Sequence, residues 1–156
     1  DRNLTLVLEP GRSIAANAGI FVTQTLLTKT NQDQAFAIVD GAMNDLLRPA
    51  LYGSYHKAVK VIDKTDGINA SWDLVGPVCE TADFLAKDRN LNLKEGDYIA
   101  IMTAGAYGFV LSSNYNSRPR AAEVMVSGNS HAIVRKRETI ESLFVNEIIF
   151  KDEINQ

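Results

Sequence analysis

The feature that most constrains this chain is its punctuation. Short runs rich in β-branched and aromatic residues recur along it, and turn-forming residues soon close each one. Residues 19–30 (Ile20, Phe21, Val22, Thr23, Thr25), 36–40, 58–63, 71–75, 98–102, 122–126 and 131–136 read as strands. Asn31-Gln32-Asp33-Gln34, Lys64-Thr65-Asp66-Gly67, Glu95-Gly96-Asp97 and Ser127-Gly128-Asn129 read as turns between them. Helical signals are brief: residues 13–18 with Ser13 near the start, residues 109–112, and residues 139–144 with Thr139 as cap. Residues 44–52 read as loop or short helix interrupted by Pro49, and residues 84–93 as a loop with one helical turn. The balance predicts a mainly β, mostly antiparallel domain, either a barrel or a sandwich.

One run stands apart. Leu4-Thr5-Leu6-Val7-Leu8 is nearly continuous in apolar residues, the pattern of a strand buried on both faces as in parallel sheets. It ends at Glu9-Pro10-Gly11-Arg12, and a short helix follows. Strand, glycine turn and helix start together suit an anion, although an ordinary strand-to-helix turn reads the same way. The chain opens Asp1-Arg2-Asn3 without a methionine, so a fragment is expected, lacking whatever its first strand pairs with. Residue 151 onward reads as a polar tail.

Composition narrows the function classes. The 156 residues, 46% hydrophobic and 22% charged, suit one domain large enough to bury a core. No apolar run approaches bilayer length, and the start does not resemble a signal peptide. A net charge of -3 with no basic stripe argues against nucleic acid as the main partner. A single cysteine excludes an internal disulfide and fits a reducing cytoplasm. His56 and His131 lack ligand spacing and read as structural or surface residues, so no metal centre is expected. Ser112-Ser113 has no nucleophile-elbow context. Thr103-Ala104-Gly105-Ala106-Tyr107-Gly108 is a weak phosphate-approach loop and no dinucleotide fingerprint.

Two groups of residues carry possible chemistry. Val75-Gly76-Pro77-Val78-Cys79-Glu80-Thr81-Ala82-Asp83 places the only thiol beside a carboxylate, behind a rigid Gly-Pro step and four residues before a second acid. Such a pair suits proton transfer, with one group delivering a proton while the other holds the substrate. Taken alone, a packed structural cysteine explains it as well. Arg12, Arg48, Tyr52, Tyr107 and Arg118 lie in turns beside glycine or proline, and arginine is the preferred fork for carboxylate or phosphate.

Five motifs in order carry a resemblance: Glu9-Pro10-Gly11-Arg12-Ser13, Ala42-Met43-Asn44-Asp45-Leu46-Leu47-Arg48-Pro49-Ala50-Leu51-Tyr52, Gly76-Pro77-Val78-Cys79-Glu80, Gly105-Ala106-Tyr107-Gly108 and Asn114-Tyr115-Asn116-Ser117-Arg118-Pro119. Together, from Leu4 to about Phe144, they resemble the C-terminal part of the diaminopimelate decarboxylases, pyridoxal-phosphate enzymes of the alanine racemase-like fold type. The resemblance implies an N-terminal (β/α)8 barrel carrying the cofactor lysine, absent from these residues, followed by a C-terminal β-domain. Residues 1–18 would be the last barrel strand and the start of the next helix, and residues 19–156 the β-domain. By the same resemblance, Glu9, Pro10, Gly11, Arg12 and Tyr107 would contact the cofactor, pyridoxal 5'-phosphate. Arg12, Arg48, Tyr52, Glu80 and Tyr107 would hold meso-2,6-diaminopimelate, and Cys79 would protonate the carbanion left when CO2 departs. A cytoplasmic homodimer with a shared active site is implied, the Cys79-Glu80 loop serving the neighbouring subunit. The activity implied is the last step of lysine biosynthesis, which these residues alone would not sustain. Thr81-Ala82 stands where the family often has Ser-Gly. A related arginine, ornithine or carboxynorspermidine decarboxylase, or a non-catalytic dimerisation domain, are the competing expectations.

Overall fold

The computed structural model describes residues 3–31 and 34–150. Gln32 and Asp33 of the expected turn, the opening Asp1-Arg2 and the expected polar tail from Lys151 lie outside them. Two compact units divide at Ser112/Ser113.

The first unit is a six-stranded sheet. Its strands are β1 (Phe21–Thr30), β2 (Ala35–Val39), β3 (Ala58–Lys60), β4 (Ile68–Val75), β5 (Phe84–Leu93) and β6 (Tyr98–Ile101), in the order β3-β6-β1-β2-β4-β5. Every neighbouring pair is antiparallel except β2 and β4, which run parallel. The edge strands β3 and β5 come into contact, so the sheet curls into a nearly closed barrel. This realises the barrel form of the expected mainly β fold. Alternation explains how the barrel fills. In β2, Ala35, Ala37 and Val39 point inward, and in β4 so do Trp72 and Leu74. They meet Leu46, Leu85, Leu93, Ile99 and Ile101, with the indole N–H of Trp72 donating to the Leu91 carbonyl at 3.0 Å.

Residues 84–93 depart from expectation, since they form the ten-residue strand β5. The polar run Lys87-Asp88-Arg89-Asn90 has weak strand propensity, but pairing with β4 and burial of Leu85, Ala86 and Leu93 override it. The polar run is taken up at a register irregularity, where Asp88 adopts φ 57° and its N–H donates to the Asp73 carboxylate at 2.9 Å. Pro49 also behaves differently. It does not interrupt a helix but opens one, α2 (Arg48–Tyr52), at a position where no N–H is required. β3 stops at Lys60, short of the expected residue 63.

The run at residues 4–8 has no sheet partner among the described residues and is not a strand. Leu4, Leu6, Val7 and Leu8 are all exposed. Beyond it, α1 (Arg12–Ala15) and a 3-10 turn (Ala16–Ala18) dock on the loop after β6. The Gly105 N–H donates to Ala16 at 3.0 Å and the Ala104 N–H to Gly19 at 2.9 Å. A Cβ on Gly105 would lie 2.2 Å from the Ala15 carbonyl, so only glycine allows this approach.

The second unit holds the hairpin β7 (Glu123–Ser127) and β8 (Ser130–Arg135), turning at Gly128 with φ 57°. α3 (Ile140–Leu143) follows, with Thr139 and Ser142 forming a capping box. Glu138 braces this unit, its Oε2 accepting from the Arg120 N–H at 2.8 Å and from Asn114 Nδ2 at 2.6 Å.

Candidate functional site

Strand direction collects the chemistry at one end of the barrel. The start of β1, the end of β2, the start of β3, the end of β4, the start of β5 and the end of β6 lie together, as the pairs Phe21↔Ile101, Ala58↔Ile101, Ile38↔Val75 and Val75↔Phe84 require. Arg12 precedes β1, Arg48 and Tyr52 follow β2, His56 precedes β3, Cys79 and Glu80 join β4 to β5, and Tyr107 follows β6.

Four of these residues converge. An open cleft of about 480 Å³ is lined by Arg12, Arg48, Tyr52, Tyr107 and Leu111. Arg48 and Tyr52 are one helical turn apart on α2 and so share a face. The Arg48 guanidinium lies between two rings, 5.4 Å from the centroid of Tyr52 and 5.3 Å from that of Tyr107. Its Nη2 also donates to Ser54 Oγ at 3.2 Å. Stacking and hydrogen bonding together aim the fork while leaving donors for a ligand. Tyr107 holds a left-handed backbone, φ 60°, an expensive conformation for a bulky residue. That backbone brings its hydroxyl to 3.5 Å from where a Cβ on Gly11 would stand.

A smaller cavity of about 210 Å³ shares both arginines and adds Ala16, Ser54, Tyr55, His56, Thr103 and Ala106. His56 is 3% exposed, and Nδ1 lies 2.9 Å from the Met102 carbonyl. A carbonyl can only accept, so Nδ1 carries the proton. Nε2 has no partner among the described residues. The His56 carbonyl receives Arg89 Nη2 at 3.2 Å, and that guanidinium stacks on Tyr55 at 4.1 Å. The sequence offered no spacing signal for His56, and only the fold puts it beside the arginines.

Among the described residues neither cavity is lined by a carboxylate or a lysine. Two guanidiniums and two phenols without a counter-charge suit an anion. Arg12 and Tyr107 in the cleft, with Gly11 beside the Tyr107 hydroxyl, are donors of the kind a phosphate takes, but no residue lining the cleft could hold an aldehyde carbon covalently. Glu9 and Pro10 lie in the exposed segment before α1 and do not line the cleft.

Cys79 and Glu80 are exposed and line neither cavity. They sit on an irregular loop closed by Asp83, which is 4% exposed and whose Oδ2 accepts the Val78 N–H at 2.6 Å. The sequence-expected residues thus fall into two groups at one end of the barrel. Arg118 lies in the second unit. No group of metal-ligating side chains occurs among the described residues, and none of their helices is long and apolar enough to cross a membrane.

The profile of a family described as pyridoxal-dependent decarboxylase, C-terminal sheet domain, matches residues 12–105. A diaminopimelate decarboxylase of Pseudomonas aeruginosa is 56% identical over 146 residues, which are 94% of this chain and 35% of that protein. One of Vibrio cholerae is 52% identical over 97% of this chain and 36% of its own length. The chain therefore spans about a third of the curated relatives it matches. Among solved structures, diaminopimelate decarboxylase from Helicobacter pylori complexed with L-lysine superposes with a TM-score of 0.80 at 43% identity, covering 87% of this chain and 33% of that one. The M. jannaschii enzyme in co-complex with L-lysine gives 0.85 at 34% identity, covering 90% and 32%.

Proposed function

We propose that this chain, which belongs to the C-terminal sheet-domain family of pyridoxal-dependent decarboxylases, forms the C-terminal part of an enzyme that decarboxylates meso-2,6-diaminopimelate to L-lysine and CO2. The observation that carries the reading is the convergence of Arg12, Arg48, Tyr52 and Tyr107 on one cleft without a carboxylate. A substrate with a carboxylate at each end demands such a cleft, because decarboxylation consumes one and the other must be held. The L-lysine bound in the H. pylori relative is the product such a reaction leaves.

The residues divide the work. Gly11, Arg12 and the Tyr107 hydroxyl offer donors to a phosphate, with Glu9 and Pro10 shaping the approach. Arg48, held between its rings, forks onto the distant carboxylate together with Arg12 and Tyr52, and Glu80 attracts an ammonium. Cys79 delivers a proton to the carbon that has lost CO2. Pyridoxal phosphate, when bound, supplies the electron sink that this carbon requires. Cys79 and Glu80 are assigned to the neighbouring subunit of a homodimer, a reading that their exposure and their absence from both cavity linings support. The unpartnered apolar run at residues 4–8 supports assigning residues 1–18 to the last strand and the start of the following helix of an adjoining (β/α)8 barrel, which would hold the cofactor lysine. A reducing, cytoplasmic setting suits an exposed catalytic thiol.

The test is substrate choice in the full-length protein that carries this chain. Release of CO2 from meso-diaminopimelate, ornithine and arginine should favour the first by at least tenfold in kcat/KM, roughly the value of one charge-assisted contact. Preference for ornithine or arginine would refute it.

A further inference from the structure

Between the end of β4 at Val75 and the start of β5 at Phe84 the chain has no regular structure, and Cys79 sits in the middle of it. A thiol that must hand a proton to one face of one carbon cannot stand on a wandering loop, since misplacement by about 1 Å can cost roughly a hundredfold in rate. Something must hold the loop, and the reading above leaves the second acid of the stretch unused.

That residue is Asp83. It is almost fully buried, and both carboxylate oxygens are engaged by backbone donors: Oδ2 accepts from Val78 at 2.6 Å and Oδ1 from Met43 at 2.7 Å. Its main chain closes the same loop, with the Gly76 N–H donating to the Asp83 carbonyl at 3.1 Å and the Asp83 N–H to the Glu80 carbonyl at 3.0 Å. Cys79 is therefore restrained from both sides, through Val78 before it and Glu80 after it. Gly76 is matched to this arrangement by close approach. A Cβ there would lie 2.4 Å from Oδ2 and 2.6 Å from Oδ1, so a side chain would drive the carboxylate off its donors.

The bond to Met43 reaches a different segment. Met43 belongs to the turn at residues 42–47, closed by the Leu46 N–H on the Ala42 carbonyl at 3.2 Å and by Asp45 Oδ2 accepting from the Ala42 N–H at 3.0 Å. That turn leads directly into α2, which carries Arg48 and Tyr52. One carboxylate thus joins the loop of the thiol to the base of the fork. Only a carboxylate can do this, because an amide presents one acceptor oxygen and turns an NH2 group toward the second N–H.

We propose that Asp83 is the positioning residue of this site, its buried carboxylate fixing the Cys79 loop and tying it to the turn that supports Arg48. The proposal rests on Cys79 acting as the proton donor. It requires that Asp83 act through Cys79 and not on substrate, and that the two loops be rigid as one body.

The test uses the full-length protein with Asp83→Asn, and with Gly76→Ala as a second variant that presses on the same carboxylate without changing its charge. Hydrogen exchange at the Val78 and Met43 amides, and the rate of Cys79 alkylation by iodoacetamide, report the loop independently of turnover. Both amides should exchange at least tenfold faster in each variant, about the loss of one net hydrogen bond, and the alkylation rate should change with them. In turnover, kcat should fall roughly ten- to a hundredfold with KM nearly unchanged, and combining Asp83→Asn with Cys79→Ala should cost little more than Cys79→Ala alone. If Cys79→Ala abolishes turnover while Asp83→Asn and Gly76→Ala exchange and turn over as the parent does, the positioning role is overturned and the donor role stands. Losses that add in the double variant overturn it too. If Cys79→Ala turns over normally, the reading of Cys79 fails first, and this proposal with it.

Discussion

Replacing Arg48 by lysine separates charge from geometry at the cleft. Lysine keeps the cation but loses the planar fork, the contacts with the Tyr52 and Tyr107 rings at 5.4 and 5.3 Å, and the bond to Ser54 at 3.2 Å. The ring contacts are worth roughly 0.5–1 kcal/mol each at exposed sites. The lower end applies to Tyr52, which is 63% exposed. These terms, with about 1 kcal/mol for the Ser54 bond, set how firmly the fork is aimed. They act on the protein with or without ligand. The ligand itself loses one of two charge-assisted bonds, about 1.5–3 kcal/mol, which is roughly a ten- to 150-fold loss of affinity. Steady-state kinetics of the full-length protein should show KM for diaminopimelate rising within that range, with kcat falling much less. Ornithine, which has no second carboxylate, should be handled by parent and variant alike, so the preference between substrates narrows by the same factor. A KM within twofold of the parent, or an equal loss on ornithine, would refute the assignment of Arg48 to the distant carboxylate.

Two further predictions concern stability. The carboxyl of Glu138 is held below its ordinary value of 4.5 by the Arg120 N–H and then by the Asn114 amide. Its stabilising contribution is therefore present above about pH 4.5 and is lost as pH falls through the lower folded value, because the unfolded state takes up the proton first. Calorimetric melts from pH 6 down to pH 3 should show a smaller drop in midpoint for Glu138→Gln than for the parent, and an identical drop would count against the bonding described. In the barrel, Trp72→Phe removes a fully buried indole and its bond to the Leu91 carbonyl, which should cost about 2–4 kcal/mol from cavity and unpaired carbonyl together. Urea unfolding followed by circular dichroism measures it, and a change under 1 kcal/mol would mean that the core repacks.

Most strands were legible because they carry their own signal. β1, β2, β6 and the hairpin β7–β8 are dense in β-branched or aromatic residues and bounded by turn residues, so local propensity and tertiary packing agree. β5 was not, because Lys87-Asp88-Arg89-Asn90 has no such preference. Its strand exists through pairing with β4, and its irregularity at Asp88 depends on the Asp73 carboxylate fifteen residues away. Residues 4–8 show the reverse case, strong strand propensity with no partner in the sheet of the described residues. At the site, the motifs pointed to Arg12, Arg48, Tyr52 and Tyr107, and these do share a cleft. The roles of His56 and Asp83 lie in burial and in bonds to distant backbone, which spacing does not reveal.

The parallel pairing of β2 with β4 explains why the two groups of residues can serve related chemistry. Had β4 run antiparallel to β2, as every other neighbouring pair does, Val75 would end at the far side of the barrel, and Cys79 would leave from there. The connection between β2 and β4 instead travels through α2 and β3 and re-enters the sheet in the same direction. The ends of both strands then face the same way, with Arg48 following one and Cys79 the other. Asp83 bridges those two exits through Met43 and Val78, and this bridge is possible only because the strands are parallel. The one parallel pair of the sheet is thus what brings thiol and guanidinium to a common end of the barrel. No local pattern in the sequence announces it, since a strand's residues record what it buries and not the direction of its neighbour.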